Sequence, residues 1–169
     1  VYAARTDVGC VREHNEDSFI AATPLFVVAD GMGGHEAGEV ASEIAIRTML
    51  EKAPNSPDGD ALANAVKTAN VAIISAAANG VGRPGMGTTM TAAQIFDDQL
   101  VIAQVGDSRA YLLHEGTLQR VTRDHSLVAD LVEQAASRRK RPASIPSAAS
   151  SPAPWAATSP SNPTSTYCA

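Results

Sequence analysis

The sequence predicts an α+β layered domain, on three observations. An apolar run at 25–29 delivers an aspartate straight into glycines, two stretches of helical periodicity follow, and beyond residue 87 come short extended runs separated by turn residues. Strands, then two helices, then strands again describe that class.

Residues 1–6 and 18–22 have the composition of short strands, and 25–29 (Leu-Phe-Val-Val-Ala) is a continuous apolar run of strand length ending at Asp30. From Glu36 the period changes: Val40 and Ile44, and Ala41, Ala45 and Met49, recur at helical spacing until Pro54 stops the pattern. A second helix carries Leu62, Val66, Ile73 and Ala77, with Asp58 or Asp60 as cap and Asn79-Gly80 at its close. Extended runs at 88–96, 100–105, 110–113 and 118–121, turning at Asp97-Asp98 and Glu115-Gly116, predict an antiparallel meander. A last helix starts at Asp124 or Ser126 and carries Leu127, Val128, Leu131 and Val132.

At 169 residues and 44% hydrophobic content the chain can build one ordinary domain. Its charge is divided: residues 1–133 hold all 18 acidic side chains and 9 of the 13 basic ones, while 134–169 hold no acid and four bases. The acidic body argues against nucleic acid as partner, because phosphate backbones are bound through clustered Lys and Arg. The basic run Arg138-Arg139-Lys140-Arg141 reads as a solvated charge cluster in the tail. Cys10 and Cys168 make neither a metal-ligand pair nor a disulfide framework, which points to a reducing compartment; Cys10 is expected as a small buried residue. No apolar run approaches the ~18 residues of a membrane span and the N-terminus lacks a signal-peptide pattern, so a soluble cytoplasmic protein with no membrane partner is expected.

Ala, Ser and Pro make up 23 of the last 36 residues, and from 135 onward neither helical nor strand period is visible, which predicts a disordered tail over 135–169. A natural linker and out-of-frame translation of a GC-rich gene both produce such a segment. The abrupt loss of acids in mid-helix favours the second.

Two acidic clusters and an arginine carry the chemistry. Asp17 and Asp30 suit hard divalent cations, which favour carboxylate, carbonyl and water oxygens. Gly31, with no side chain, lets its own carbonyl approach the same ion. Two such ions ~3.5–4 Å apart can share a water, lower its pKa and set it in line with a phosphorus atom. Arg12 supplies a planar fork for two phosphate oxygens. His35 fits two roles equally, as proton donor to a leaving alkoxide or as a hydrogen-bonding group within the loop. Either acidic motif alone is more often a turn or a surface pair; together they point to metal ions holding a phosphate. Asp107 by itself reads as the capping residue of a hairpin or bulge, and Gly85-Met86-Gly87-Thr88-Thr89 as a turn entering a strand. Asp124-His125-Ser126 is contiguous, which rules out triad geometry, and reads as a helix cap.

In order, R-x-x-x-E-D (12–17), DGMGGHxxGExAS (30–42), GMGTT (85–89), VGDSRxY (105–111) and TxDHSLV (122–128) closely resemble bacterial metal-dependent serine/threonine protein phosphatases of the protein phosphatase 2C family. The resemblance covers residues 3 to about 134. It implies a four-layer α-β-β-α sandwich of two antiparallel sheets flanked by helices, with the metal site at one end. It also implies two Mn²⁺ or Mg²⁺ ions and a third, weaker one. Asp30 would bridge two ions, the Gly31 carbonyl would complete one, Glu16 and Asp17 would hold metal directly or through water, and Asp107 would help hold the third. Arg12 would bind the substrate phosphate, and His35 is the loosest correspondence, as general acid. The implied reaction is dephosphorylation of phosphoserine and phosphothreonine by a hydroxide bridging the metals. Its implied partners are phosphorylated proteins, among them serine/threonine kinases and their targets.

Beyond Glu133 the family continues with a flap and with S-D-G and G-x-D-N motifs that supply further metal-binding aspartates, and neither motif occurs in this chain. Residues 1–134 are therefore expected to be the N-terminal portion of the phosphatase domain, with an incomplete fold. The alternative function is a non-catalytic remnant or pseudophosphatase that binds metal or a phosphorylated partner.

Overall fold

The computed structural model of the protein describes residues 1–34 and 37–125. The elements are β1 (Asp17–Ala22), β2 (Leu25–Met32), α1 (Ala37–Lys52), α2 (Gly59–Ala78), β3 (Gly87–Thr88), β4 (Met90–Phe96), β5 (Gln99–Val105), β6 (Tyr111–His114) and β7 (Thr117–Arg120). Strands β1, β2, β4 and β5 lie side by side in that order, each pair antiparallel; β3 extends the sheet from β2, and β6 and β7 form a separate hairpin. The α+β class therefore holds.

Alternation decides which face is which. Leu25, Val27 and Ala29 of β2 point to one face, where α1 presents Ala41, Ile44, Ala45 and Met49 and α2 presents Leu62, Val66, Ala69 and Ile73. Aromatics are scarce, so the core reaches interior density through close approach at alanines: Ala29, Ala41, Ala45, Ala69 and Ala92 are all at 0% exposure. The opposite face carries Asp17 and Phe19 on β1, Val28 and Asp30 on β2 and Ile95 on β4, with Phe19, Val28 and Ile95 all exposed. One face of the sheet thus has its helix layer, and among the described residues the other is partly open, in line with the incomplete sandwich expected.

Helix ends follow local chemistry. Asp58 caps α2, its Oδ1 accepting from the Ala61 N–H at 2.9 Å, and Asp60 sits in the first turn instead. At the C-terminal end Asn79 caps the helix before Gly80. By length and hydropathy alone α2 could cross a bilayer, contrary to the expectation that no apolar run is long enough; one stripe of it, Leu62, Val66, Ala69 and Ile73, is buried in the core, while Val71 and Ile74 are exposed.

Several elements differ from expectation. Residues 1–6 form no strand: no ladder partner is present among the described residues, and Tyr2 stacks edge-on against Phe26 with ring centroids 5.4 Å apart. Strand β2 runs past Asp30, because Gly31 and Met32 pair with Thr88 and Gly87, and the run at 88–96 is broken at Thr89 into β3 and β4. The later strands are not one meander: β4 and β5 pair within the main sheet, whereas β6 and β7 pair only with each other. Both predicted turns are present, with Asp97 and Glu115 at φ 49° and 48°. Cys10 is exposed in a turn, not buried. The helix expected from 124, the tail at 135–169, and Cys168 lie outside the described residues, apart from Asp124 and His125 at its start.

Leu62, at 0% exposure on α2, and the Asp58 cap separate packing from local effects. Leu62→Ala is expected to cost about 2–5 kcal/mol of unfolding free energy, and Asp58→Ala about 1 kcal/mol, as read from urea denaturation.

Candidate metal centre

The β1–β2 register sets Asp17 directly opposite Asp30. Opposed residues of an antiparallel pair project from the same face with Cβ atoms about 5 Å apart, so both carboxylates stand side by side on the face away from the helices. The Asp30 carboxyl is held above its ordinary value of 3.8, first by partial burial and then by the Asp17 charge; Arg12 pulls it down, and Asp107 and a hydrogen bond to Asp17 push it up. Three acids and one guanidinium therefore act on one another. Two carboxylates set side by side in this way are a ready donor set for a hard divalent cation, so the residues present fit the metal.

Arg12 donates from Nη1 to Glu16 Oε2 at 2.7 Å. The Arg12 side chain is 65% exposed and that of Glu16 only 10%, so most of the guanidinium fork is still presented to solvent. The Glu16 carboxylate packs against Gly38 at the start of α1; a Cβ on Gly38 would stand 2.8 Å from it. Gly31 donates its N–H to the Glu16 carbonyl at 3.2 Å, and a Cβ on Gly31 would collide with the Gly38 and Glu16 carbonyl oxygens. Glycine is thus required at 31 by the close approach of α1 and the Glu16 backbone, a reason additional to the one read from sequence.

Asp107 follows the end of β5, in a turn tied to the pair through Thr89. The Thr89 N–H donates to the Asp30 carbonyl at 2.9 Å, the Asp30 N–H donates to Thr89 Oγ1 at 3.2 Å, and that hydroxyl lies 2.7 Å from Ser108 Oγ. Gly106, at φ +97°, has no room for a Cβ, which would meet the Thr89 side chain at 2.8 Å. Gln104 Nε2 donates to the carbonyls of Gly106 and Ser108 and closes the turn. Asp124 receives Arg109 through Nε at 3.0 Å and Nη2 at 2.6 Å; the helix it was expected to cap lies outside the described residues.

The structure therefore brings Arg12, Asp17, Asp30 and Asp107 together and sets Glu16 one residue back, turned toward Arg12 and Gly38. Among the described residues no three His, Cys, Asp or Glu side chains converge on a single ion position. His35 lies outside the described residues. Sequence reasoning missed Thr89, Ser108 and Ser42, hydroxyls that hold the loops in place; Ser42, a polar residue on the alanine face of α1, was the one with a visible signal.

The sequence profile of Protein phosphatase 2C matches residues 8–135. The serine/threonine protein phosphatase PstP of Mycobacterium tuberculosis is 44% identical over 136 residues, which are 79% of this chain and 26% of that protein. The serine/threonine phosphatase stp of Listeria monocytogenes is 43% identical over 141 residues, 76% of this chain and 56% of that protein. Among solved structures, the crystal structure of the M. tuberculosis phosphatase PstP/Ppp superposes with a TM-score of 0.73 at 43% identity, covering 79% of this chain and 58% of that one. The PstP catalytic domain in complex with 2 manganese ions gives a TM-score of 0.72 at 42% identity, over 79% of this chain and 59% of that one. This chain thus spans little more than half of the solved domains it matches.

A carboxyl raised in the folded state loses its share of stability as pH climbs through its folded pKa. In metal-free buffer, wild type should therefore fall in melting temperature relative to Asp30→Asn as pH rises from 3.8 upward, and the gap should close when Mn²⁺ is added to the wild type. Parallel thermal melts across pH 3–8 check this.

Proposed function

This chain belongs to the protein phosphatase 2C family, and on that premise we propose that it is the N-terminal portion of a catalytic domain that removes phosphate from phosphoserine and phosphothreonine on proteins, using Mn²⁺ or Mg²⁺. The observation that carries the reading is the pair Asp17 and Asp30, opposed across β1 and β2 with Arg12 and Asp107 acting on it. Asp17 and Asp30, with Glu16, Asp107 and the Gly31 carbonyl, would hold the metal, which supplies a water acidic enough to attack at neutral pH and charge to offset that of the phosphoryl oxygens.

The chain's own residues do the rest. Arg12 keeps all but one of its five N–H donors for the substrate phosphate while Glu16 steadies the guanidinium. The Thr89–Ser108 link keeps the Asp107 turn in register with Asp30. His35 would return a proton to the departing serine or threonine oxygen. Beside Asp17 an open groove of about 430 Å³ runs between β1 and α1, past Phe19, Ile46, Arg47 and Leu50, with room for an extended substrate segment. Serine/threonine kinases and their cytoplasmic targets are the phosphoproteins proposed.

A second reading, a non-catalytic remnant that binds metal or a phosphorylated partner, is favoured by the lack of three converging ligands among the described residues. It predicts Mn²⁺ binding that depends on Asp30 with no turnover at any metal concentration.

Mn²⁺-dependent hydrolysis of p-nitrophenyl phosphate by the 169-residue chain tests the proposal. Asp30→Ala should remove the metal-dependent rate, by on the order of 100-fold or more. Arg12→Ala should lower kcat/KM about 10–100-fold, largely through KM. Turnover that survives Asp30→Ala contradicts the site assignment.

A further inference from the structure

One side chain of α1 reaches back over the start of β1. Ser42 lies on the second turn of the helix at 0% exposure, next to Ala41 and on the same face as Ala45. Its Oγ is 2.7 Å from the Glu16 carbonyl oxygen, 3.0 Å from the Glu39 carbonyl oxygen and 3.0 Å from Ser18 Oγ. A hydroxyl has one proton and two lone pairs. The shortest contact commits that proton to the Glu16 carbonyl, which leaves the Ser42 oxygen to accept from Ser18.

The two groups it engages belong to residues 16 and 18, the neighbours of Asp17 on either side. Ser18 points to the helix face, so fixing it fixes the opposite projection of Asp17. The same Glu16 carbonyl also accepts from the N–H of Gly31, the residue after Asp30. A single buried hydroxyl thus bears on the backbone beside both carboxylates. An alanine at 42 would continue the alanine face of α1 with little change in packing, so what the hydroxyl adds is direction.

We infer that Ser42, through Ser18 and the Glu16 carbonyl, is a positioning residue that sets Asp17 opposite Asp30 for divalent metal. The inference rests on the reading of Asp17 and Asp30 as metal ligands. Ser42 touches neither metal nor substrate; it acts through Asp17. Orienting partners of this kind typically govern metal affinity by 10–100-fold.

The test is a double-mutant cycle on the full 169-residue chain, with Mn²⁺ as the probe and free Mn²⁺ read by electron paramagnetic resonance. Ser42→Ala should weaken Mn²⁺ binding about 10-fold while circular dichroism stays that of wild type. In an Asp17→Asn background the same substitution should cause no further loss. Wild-type affinity in Ser42→Ala, or losses that simply multiply in the double variant, overturns the positioning role. Wild-type affinity in Asp17→Asn overturns the site reading itself, a separate result. Should Ser42→Ala fail to fold, Ser18→Ala removes the same link from the strand side and is held to the same two criteria.

Discussion

Two carboxylates facing each other across a strand pair are an electrostatic cost that the sheet has to carry. At about 5 Å and an effective dielectric near 20 their repulsion is roughly 3 kcal/mol before solvent screening, comparable to burying one large apolar side chain. The register of β1 on β2 can impose it because the same register buries Ile20, Leu25, Val27 and Ala29 on the helix face. Side chains alternate with a period of two, so a slip of one residue would send that apolar set to solvent and the aspartates into the core. The apolar face therefore holds the acidic face in place, and a divalent cation bound between the carboxylates would relieve that repulsion.

The first turns of α1 complete the arrangement. The chain leaves β2 and returns as a helix that crosses so close to Gly31 and Glu16 that a Cβ would clash at 31, with the Gly38 and Glu16 carbonyls, and at 38, with the Glu16 carboxylate. That approach shields the Glu16 carboxylate, keeps it on Arg12, and lets Ser42 reach the Glu16 carbonyl. Arg12 thus stays between a nearly buried acid and an acidic pair, its fork largely free. Thr89 does for the Asp107 turn what Ser42 does for Asp17, through hydroxyl and backbone contacts that bind separate loops to the end of one sheet.

Much of this was legible in the sequence where local chemistry decides. The Asp58 cap, the stop before Pro54, the turns at Asp97 and Glu115 and the apolar run of β2 follow from residue type and period. The misses share a cause: each depends on what a segment meets in space. Residues 1–6 have strand composition and no ladder partner among the described residues; Gly31 and Met32 look like loop yet gain one in β3. Cys10 is small and apolar, but its turn faces solvent. Asp17 and Asp30 could be named from sequence as cation ligands, whereas their face-to-face placement, and the pairing of Arg12 with Glu16, needed the fold.

The central claim is that Asp17 and Asp30 together hold a divalent ion, and crystals of the chain soaked in Mn²⁺ would test it most directly through anomalous scattering. The account predicts a manganese peak within coordination distance of both carboxylates. A well-ordered site with no peak there, or manganese bound only elsewhere on the chain, would contradict it.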